Sequence, residues 1–199
     1  MKCFKLTLLA LVCAGAASCS STSNSAGPMD EQAMMEKWMK YSSPGEAHQV
    51  LAHKVGNWKL RVRMFNPDGS LGGESDATSA IQSIMEGRFI EDHTTDSFQG
   101  MPFLGHGMSG FDNIKQRYVG TWVDNMSTGV MNYEGTYDSA TKTIHSTGES
   151  PDPMTWQYVG TRSTETFVDD DHMVMKSFMK GPDGKEYMMM QLDYTRTSR

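Results

Sequence analysis

Glu91, His93 and His106 are the residues whose types and spacing come nearest to a chemical site in this chain. In a strand of period two, Glu91 and His93 share one face with Phe89 and Thr95. If that face is interior, a buried carboxylate and imidazole must hydrogen-bond each other or a ligand. His106 stands between glycines in Leu104-Gly-His-Gly-Met108, where another backbone or a ligand can approach closely. Two of these groups within about 2.6–3.2 Å inside a pocket would suit acid–base catalysis or ligation, haem included. The other histidines are weaker candidates: His48 and His53 fall on different faces of a helix, His145 reads as an exposed strand position and His172 as a turn.

Methionine is the second chemical signal, with 18 residues in the chain. Soft thioethers favour Cu(I), but copper-handling motifs bunch methionine in loops, whereas here it alternates within strands. Met189 points away from Met188 and Met190, so the triplet cannot present three sulfurs to one ion. An adaptable core or cavity lining accounts for Met173, Met175, Met179, Met188 and Met190. Asp169-Asp-Asp171 lacks the alternating oxygens and distal Glu of a calcium loop and reads as a solvated turn. No hydrolase elbow, zinc-protease helix, phosphate loop or dinucleotide fingerprint is present, which weighs against an enzyme. No metal and no cofactor are assigned.

The elements that must position these residues are strands. Trp58, Leu60, Val62 and Met64 alternate with Lys59, Arg61 and Arg63, one face dry and the other wet. After the Asn66-Pro-Asp-Gly69 turn, the pattern predicts strands near 75–85, 87–98, 103–112, 116–124, 130–138, 142–149, 157–168, 172–180 and 185–196. Asp112-Asn113, Asp124 to Gly129, Asp138 to Lys142, Pro151-Asp-Pro153, Asp169 to Asp171 and Gly181 to Gly184 supply the turns. About ten antiparallel strands with short loops are best closed as an up-and-down β-barrel, because closure removes the edges. Such a barrel can enclose a cavity, and the expected lining is Trp58, Trp122, Met131, Tyr133, Met188 and Met190 together with Glu91, His93 and His106.

One or two short helices precede the barrel, which is placed at 55–199. Asp30 to Lys40 carries Met34, Met35, Trp38 and Met39 on one face, for packing on the barrel or for a lid or partner. Ser43-Pro-Gly-Glu46 reads as a capping box opening a second helix through Ala47, Val50 and Leu51, which stops at Gly56. Residues 30–54 form this helical segment.

The start of the chain is an address. Lys2 and Lys5 precede an apolar run from Leu6 to Val12 and small residues up to Cys19, the pattern of a secretory signal over 1–18. Ala16-Ala-Ser-Cys19 resembles a bacterial lipobox, although Ala16 replaces the usual leucine. Acylation of Cys19 would anchor residues 19–29 as a flexible tether in the cell envelope, with Ser20 compatible with the outer membrane facing the periplasm. Cys3, Cys13 and Cys19 are the chain's three cysteines, so the body has no disulfide and must be stable through its own core. Without Lys2 and Lys5, 16 basic residues face 24 acidic ones, and a net charge of −8 argues against nucleic acid and anionic lipid surfaces as partners.

His48 to Trp58, Gly100-Met-Pro-Phe103, Tyr118-Val-Gly-Thr-Trp-Val-Asp124, Glu134-Gly-Thr-Tyr-Asp138, Phe167 to His172 and Gly181-Pro-Asp-Gly-Lys-Glu186 together resemble the DUF1579 family of uncharacterised bacterial proteins, from about residue 45 to the end. The resemblance implies a lipocalin-like, calycin-type barrel. Gly56-Asn-Trp58 is similar to the Gly-x-Trp that opens the first lipocalin strand, with Trp58 closing the floor. The resulting expectation is a monomeric envelope lipoprotein that binds a small apolar or amphipathic ligand. Two alternatives stand beside it: a filled barrel acting as a structural or interaction module, and a haem or copper protein or enzyme built on the His93 region.

Overall fold

The computed structural model describes residues 30–98 and 100–199. Cys19, with the signal and tether segments, lies outside the described residues. Helices α1 (Glu31–Ser42) and α2 (Glu46–Ala52) lead into ten strands. These are β1 (Gly56–Phe65), β2 (Leu71–Ile84), β3 (Phe89–Phe98), β4 (Met101–Asp112), β5 (Arg117–Asp124), β6 (Met131–Asp138), β7 (Thr143–Asp152), β8 (Gln157–Phe167), β9 (His172–Lys180) and β10 (Glu186–Ser198). Each strand pairs antiparallel with its neighbours in sequence, and β1 pairs with β10, so the sheet closes as a ten-stranded barrel. The expected up-and-down, lipocalin-like architecture is the one observed.

Alternation explains the ladders. In β1, Trp58 and Leu60 are buried while Lys59 is exposed, so the dry face points inward and the wet face outward. Their partners continue the pattern: Trp58 lies opposite Arg196, Leu60 opposite Tyr194 and Met64 opposite Met190. The core gathers at the end of the barrel that α2 covers, where Leu51, Leu60, Ala77, Ile81, Ile90, Tyr118, Ile144, Met173 and Tyr194 pack around Trp58. Opposite this floor, the turns after β1, β3, β5, β7 and β9 ring the mouth.

Three local expectations need correction. Ser43 is the C-cap of α1, and Gly45 is the N-cap of α2, its N–H donated to the Nδ1 of buried His48 at 3.0 Å. A histidine ring three residues on supplies the acceptor for the N-cap N–H that the Glu46 carboxylate was expected to supply, and Gly45 has no hydroxyl to give the reciprocal bond. Pro151 and Asp152 belong to β7, paired opposite Tyr158 and Gln157 of β8, and the turn follows them. Gly56 is already part of β1: α2 ends at Ala52, and Gly56 adopts φ +139° against Arg196 and Ser198, where a Cβ would meet both at 2.6 Å. α1 buries none of its residues; Met34, Met35, Trp38 and Met39 remain exposed, and Arg88 and Asn113 hold its C-terminal carbonyls.

Candidate functional site

The phase of β3 decides what the cavity contains. Ile90, Asp92, Thr94 and Asp96 line the interior, which sends Glu91 and His93 to the outer wall. In β4, Gly107 and Ser109 face inward, with Trp122 lying over Gly105 and Gly107, so His106 is also outward. The side chains of His93 and His106 are 52% and 47% exposed. The interior acid–base or haem cluster expected from the sequence is therefore not formed, because the inward face of β3 is the one carrying Ile90 and the aspartates.

The barrel instead encloses a cavity of about 420 Å³. Its upper wall is mostly apolar and methionine-rich, with Val62, Met64, Phe103, Trp122, Met126, Met131, Met189, Met190 and Leu192, interrupted by the carboxylates of Asp96 and Asp124. Its lower part is polar. Lys54, entering from the link between α2 and β1, donates to Glu165 Oε1 and Oε2 at 2.8 and 2.9 Å. Asp92 accepts from Ser79 at 2.7 Å and from Thr94 at 2.9 Å, whereas Asp96, level with Phe103 and Val62 nearer the mouth, accepts from Ser75 at 2.7 Å. Tyr133 and Ser109 share a 2.6 Å hydrogen bond.

Electrostatics at the floor follow from burial against pairing. Burial alone would lower the Lys54 ammonium, but Glu165, with help from Tyr133 and Asp92, holds it above its ordinary value. It stays charged. Burial raises the Tyr133 hydroxyl, with Lys54 opposing, and carries Tyr194 well above the usual range with Asp92 and Glu165 acting in the same direction. Both phenols are neutral hydrogen-bonding groups at physiological pH.

The family model described as Protein of unknown function (DUF1579) matches residues 43–196, which takes in α2 and all ten strands but the last two residues of β10. The chain belongs to the DUF1579 family. No curated protein matches it by sequence. Among solved structures it is similar to Rv2717c from M. tuberculosis, at 14% identity and a TM-score of 0.58, with 78% of this chain and 99% of that chain covered. It is also similar to the S-type phycobiliprotein lyase CPES from Guillardia theta, at 13% identity and a TM-score of 0.55, covering 81% and 97%. At such identities the likeness shows the fold alone.

Within this DUF1579 barrel, the sequence-expected lining is met at Trp122, Met131, Tyr133 and Met190. Trp58 lies beneath the cavity and not in its wall: it is 3% exposed, donates through Nε1 to the Lys54 carbonyl at 2.8 Å and carries the Arg196 guanidinium 4.0 Å above its ring. Met188 is displaced by a β-bulge, since Met188 pairs with Phe178 and Met190 with Ser177. The extra residue flips the phase, so Met189 joins Met190 at the cavity. Sequence reasoning missed Lys54, Glu165, Asp92 and Asp96. The available signal was weak: a lysine just before Gly-x-Trp, and a β3 whose second face, Ile90, Asp92, Thr94 and Asp96, opens on an isoleucine.

Proposed function

We propose that this protein binds a small amphipathic ligand in the barrel, its apolar body against Trp122 and the mouth methionines and its polar end over the Lys54, Glu165, Tyr133 and Asp92 floor. The observation that carries this reading is the unfilled cavity of about 420 Å³, mostly apolar above and with a buried ion pair below, a volume in the range of small-molecule sites. A barrel serving only as a structural module has no need of that space. Methionine suits a wall that adapts to a flexible ligand. Lys54 is the sole cation among the lining residues, against carboxylates at Asp92, Asp96, Asp124, Glu149 and Glu165, so a neutral hydrogen-bond donor or a cationic group fits the polar end best. No histidine is among the residues lining the cavity, and Lys54 is committed to Glu165; both features support binding over turnover. The lyase that shares the fold lends no ligand.

The sequence of residues 1–29 supports placing this activity in the bacterial envelope, with the protein a monomer anchored through acylated Cys19. Mass spectrometry of the mature N-terminus tests the anchor; an unmodified Cys19 overturns it. The cavity is tested with N-phenyl-1-naphthylamine, a neutral apolar fluorophore. It is expected to bind one per chain, to lose binding in Met131→Trp and Met190→Trp, and to keep it in Val130→Trp at an exposed position. Equal binding by all three variants would overturn the assignment. Native mass spectrometry of protein purified from the envelope then reports the natural ligand's mass.

A further inference from the structure

Outside the cavity, one cluster has the composition and spacing of a coordination sphere. Glu91, His93 and His106 are, among the described residues, the group of three potential ligands whose donor atoms all lie within 4.8 Å of one another. We propose that these three side chains form a zinc-class divalent metal site on the outer wall of the barrel, with Nε2 of both histidines and one Glu91 oxygen as protein ligands and water completing the sphere.

The register builds the site. Glu91 and His93 are two apart on β3 and so project from the same face, while His106 on β4 is the direct antiparallel partner of His93. Directly opposed residues bring their Cβ atoms to about 4.5–5.5 Å, a span two imidazoles and an ion can bridge. The two Nε2 atoms stand 3.6 and 3.5 Å from the same Glu91 Oε2. A tetrahedral site with bonds of about 2.0–2.2 Å has ligand atoms about 3.3–3.6 Å apart along its edges. The carboxylate is thus already near its coordinating distance from each nitrogen, and it is the gap between the two stacked rings, 4.5 Å between centroids, that an ion has to close. The rings are stacked at 4.5 Å with planes 8° apart, and tilting them toward each other converges their lone pairs. Because both are half exposed, that tilt meets no packed core.

Ligand type narrows the ion. Two imidazoles and one carboxylate suit zinc, cobalt, nickel or Cu(II), whereas calcium and magnesium prefer all-oxygen sets. Two histidines and a glutamate with an open fourth position is also the donor set of many zinc centres. Backing is firm: Trp122 lies against the inner side of Gly105 and Gly107, which flank His106, fixing the strand from which that ligand projects. The site shares β3 with the cavity, where Asp92 between the two ligands points inward, but it uses no cavity-lining residue.

Untagged protein stripped with a chelator and titrated with Zn²⁺ by calorimetry, and with Co²⁺ by visible absorption, tests the proposal. One ion per chain is expected, with cobalt d–d bands of a nitrogen- and oxygen-ligated tetrahedral centre. Loss of an outer-sphere partner already weakens metal sites about 10–100-fold, so His93→Ala and His106→Ala should each exceed that, with Glu91→Gln also weakened. His145→Ala, an exposed strand histidine on β7, should bind as the parent does. Circular dichroism checks that each variant keeps the barrel, and Met131→Trp should retain the ion while losing the fluorophore, which separates this site from the cavity. Absence of saturable binding, or binding undiminished in the His93→Ala/His106→Ala double variant, overturns the proposal.

Discussion

Lys54 and Glu165, 111 positions apart in the chain, meet as a bidentate ion pair beneath the cavity. Their side chains are 9% and 22% exposed, so neither charge can be left to water. Removing one partner of such a pair strands the other, at a cost of about 3–5 kcal/mol. Lys54→Met should therefore destabilise the barrel by about 3 kcal/mol in urea unfolding. The Lys54→Met/Glu165→Leu double variant should recover most of that loss, because the stranded charge is gone. Additive losses would show that the two residues act independently.

Stability should fall in alkali. Burial pushes the Tyr118 hydroxyl up to about 12, and Tyr133, Tyr194 and Lys54 are also raised, so the native state keeps protons that the unfolded chain releases. A raised value means stability is fully present below the unfolded value, near 10 for tyrosine, and is lost as pH climbs toward the folded one. Urea midpoints should be level up to about pH 10 and drop beyond it. Tyr118→Phe should flatten that drop while losing about 1 kcal/mol at neutral pH, since the hydroxyl donates to the Ala47 carbonyl at 3.2 Å.

Gly105 leaves room for Trp122. A Cβ there would lie 2.2 Å from the indole Cζ2, against a ring that lines the cavity. Gly105→Ala should cost about 1–3 kcal/mol through overpacking and shift tryptophan emission, a shift absent when Trp122 is already phenylalanine.

Arg196 cannot be replaced by lysine without loss. Its guanidinium donates to the carbonyls of Val55, His53 and Asp170 and stacks on Trp58, binding the α2–β1 link to the β8–β9 turn. An ammonium lacks the planar fork. Arg196→Lys should lower the thermal midpoint nearly as far as Arg196→Ala does, whereas rescue by lysine would show that charge alone matters.

Strands whose two faces differ in polarity were legible in the sequence. Trp58, Leu60 and Val62 announce their side, and turn residues mark the ends, so element order and closure could be anticipated. The phase of β3 was not legible: one face offers Phe89, Glu91, His93 and Thr95 and the other Ile90, Asp92, Thr94 and Asp96, both mixed. Only neighbours decide such a case, here Trp122 occupying the space over Gly105 and Gly107 and fixing β4 with His106 outward. The Lys54–Glu165 pair spans most of the domain and has no local signature. The Met188 misplacement came from a bulge, which shifts phase without altering composition.

Closure also dictates an order of assembly. Nine of the ten ladders join neighbours in the chain, but β1 cannot be completed until β10 arrives from more than a hundred residues away. Until the last strand is in place, Trp58 lacks Arg196 and Tyr194, and β1 and β9 each present an unpaired edge to any other extended chain. The final thirteen-residue strand thus acts as a latch. A chain cut short before Glu186 keeps most of its local pairings yet is left as an open, adhesive sheet, and the slow step for the intact chain is the long loop closure that draws its two ends together.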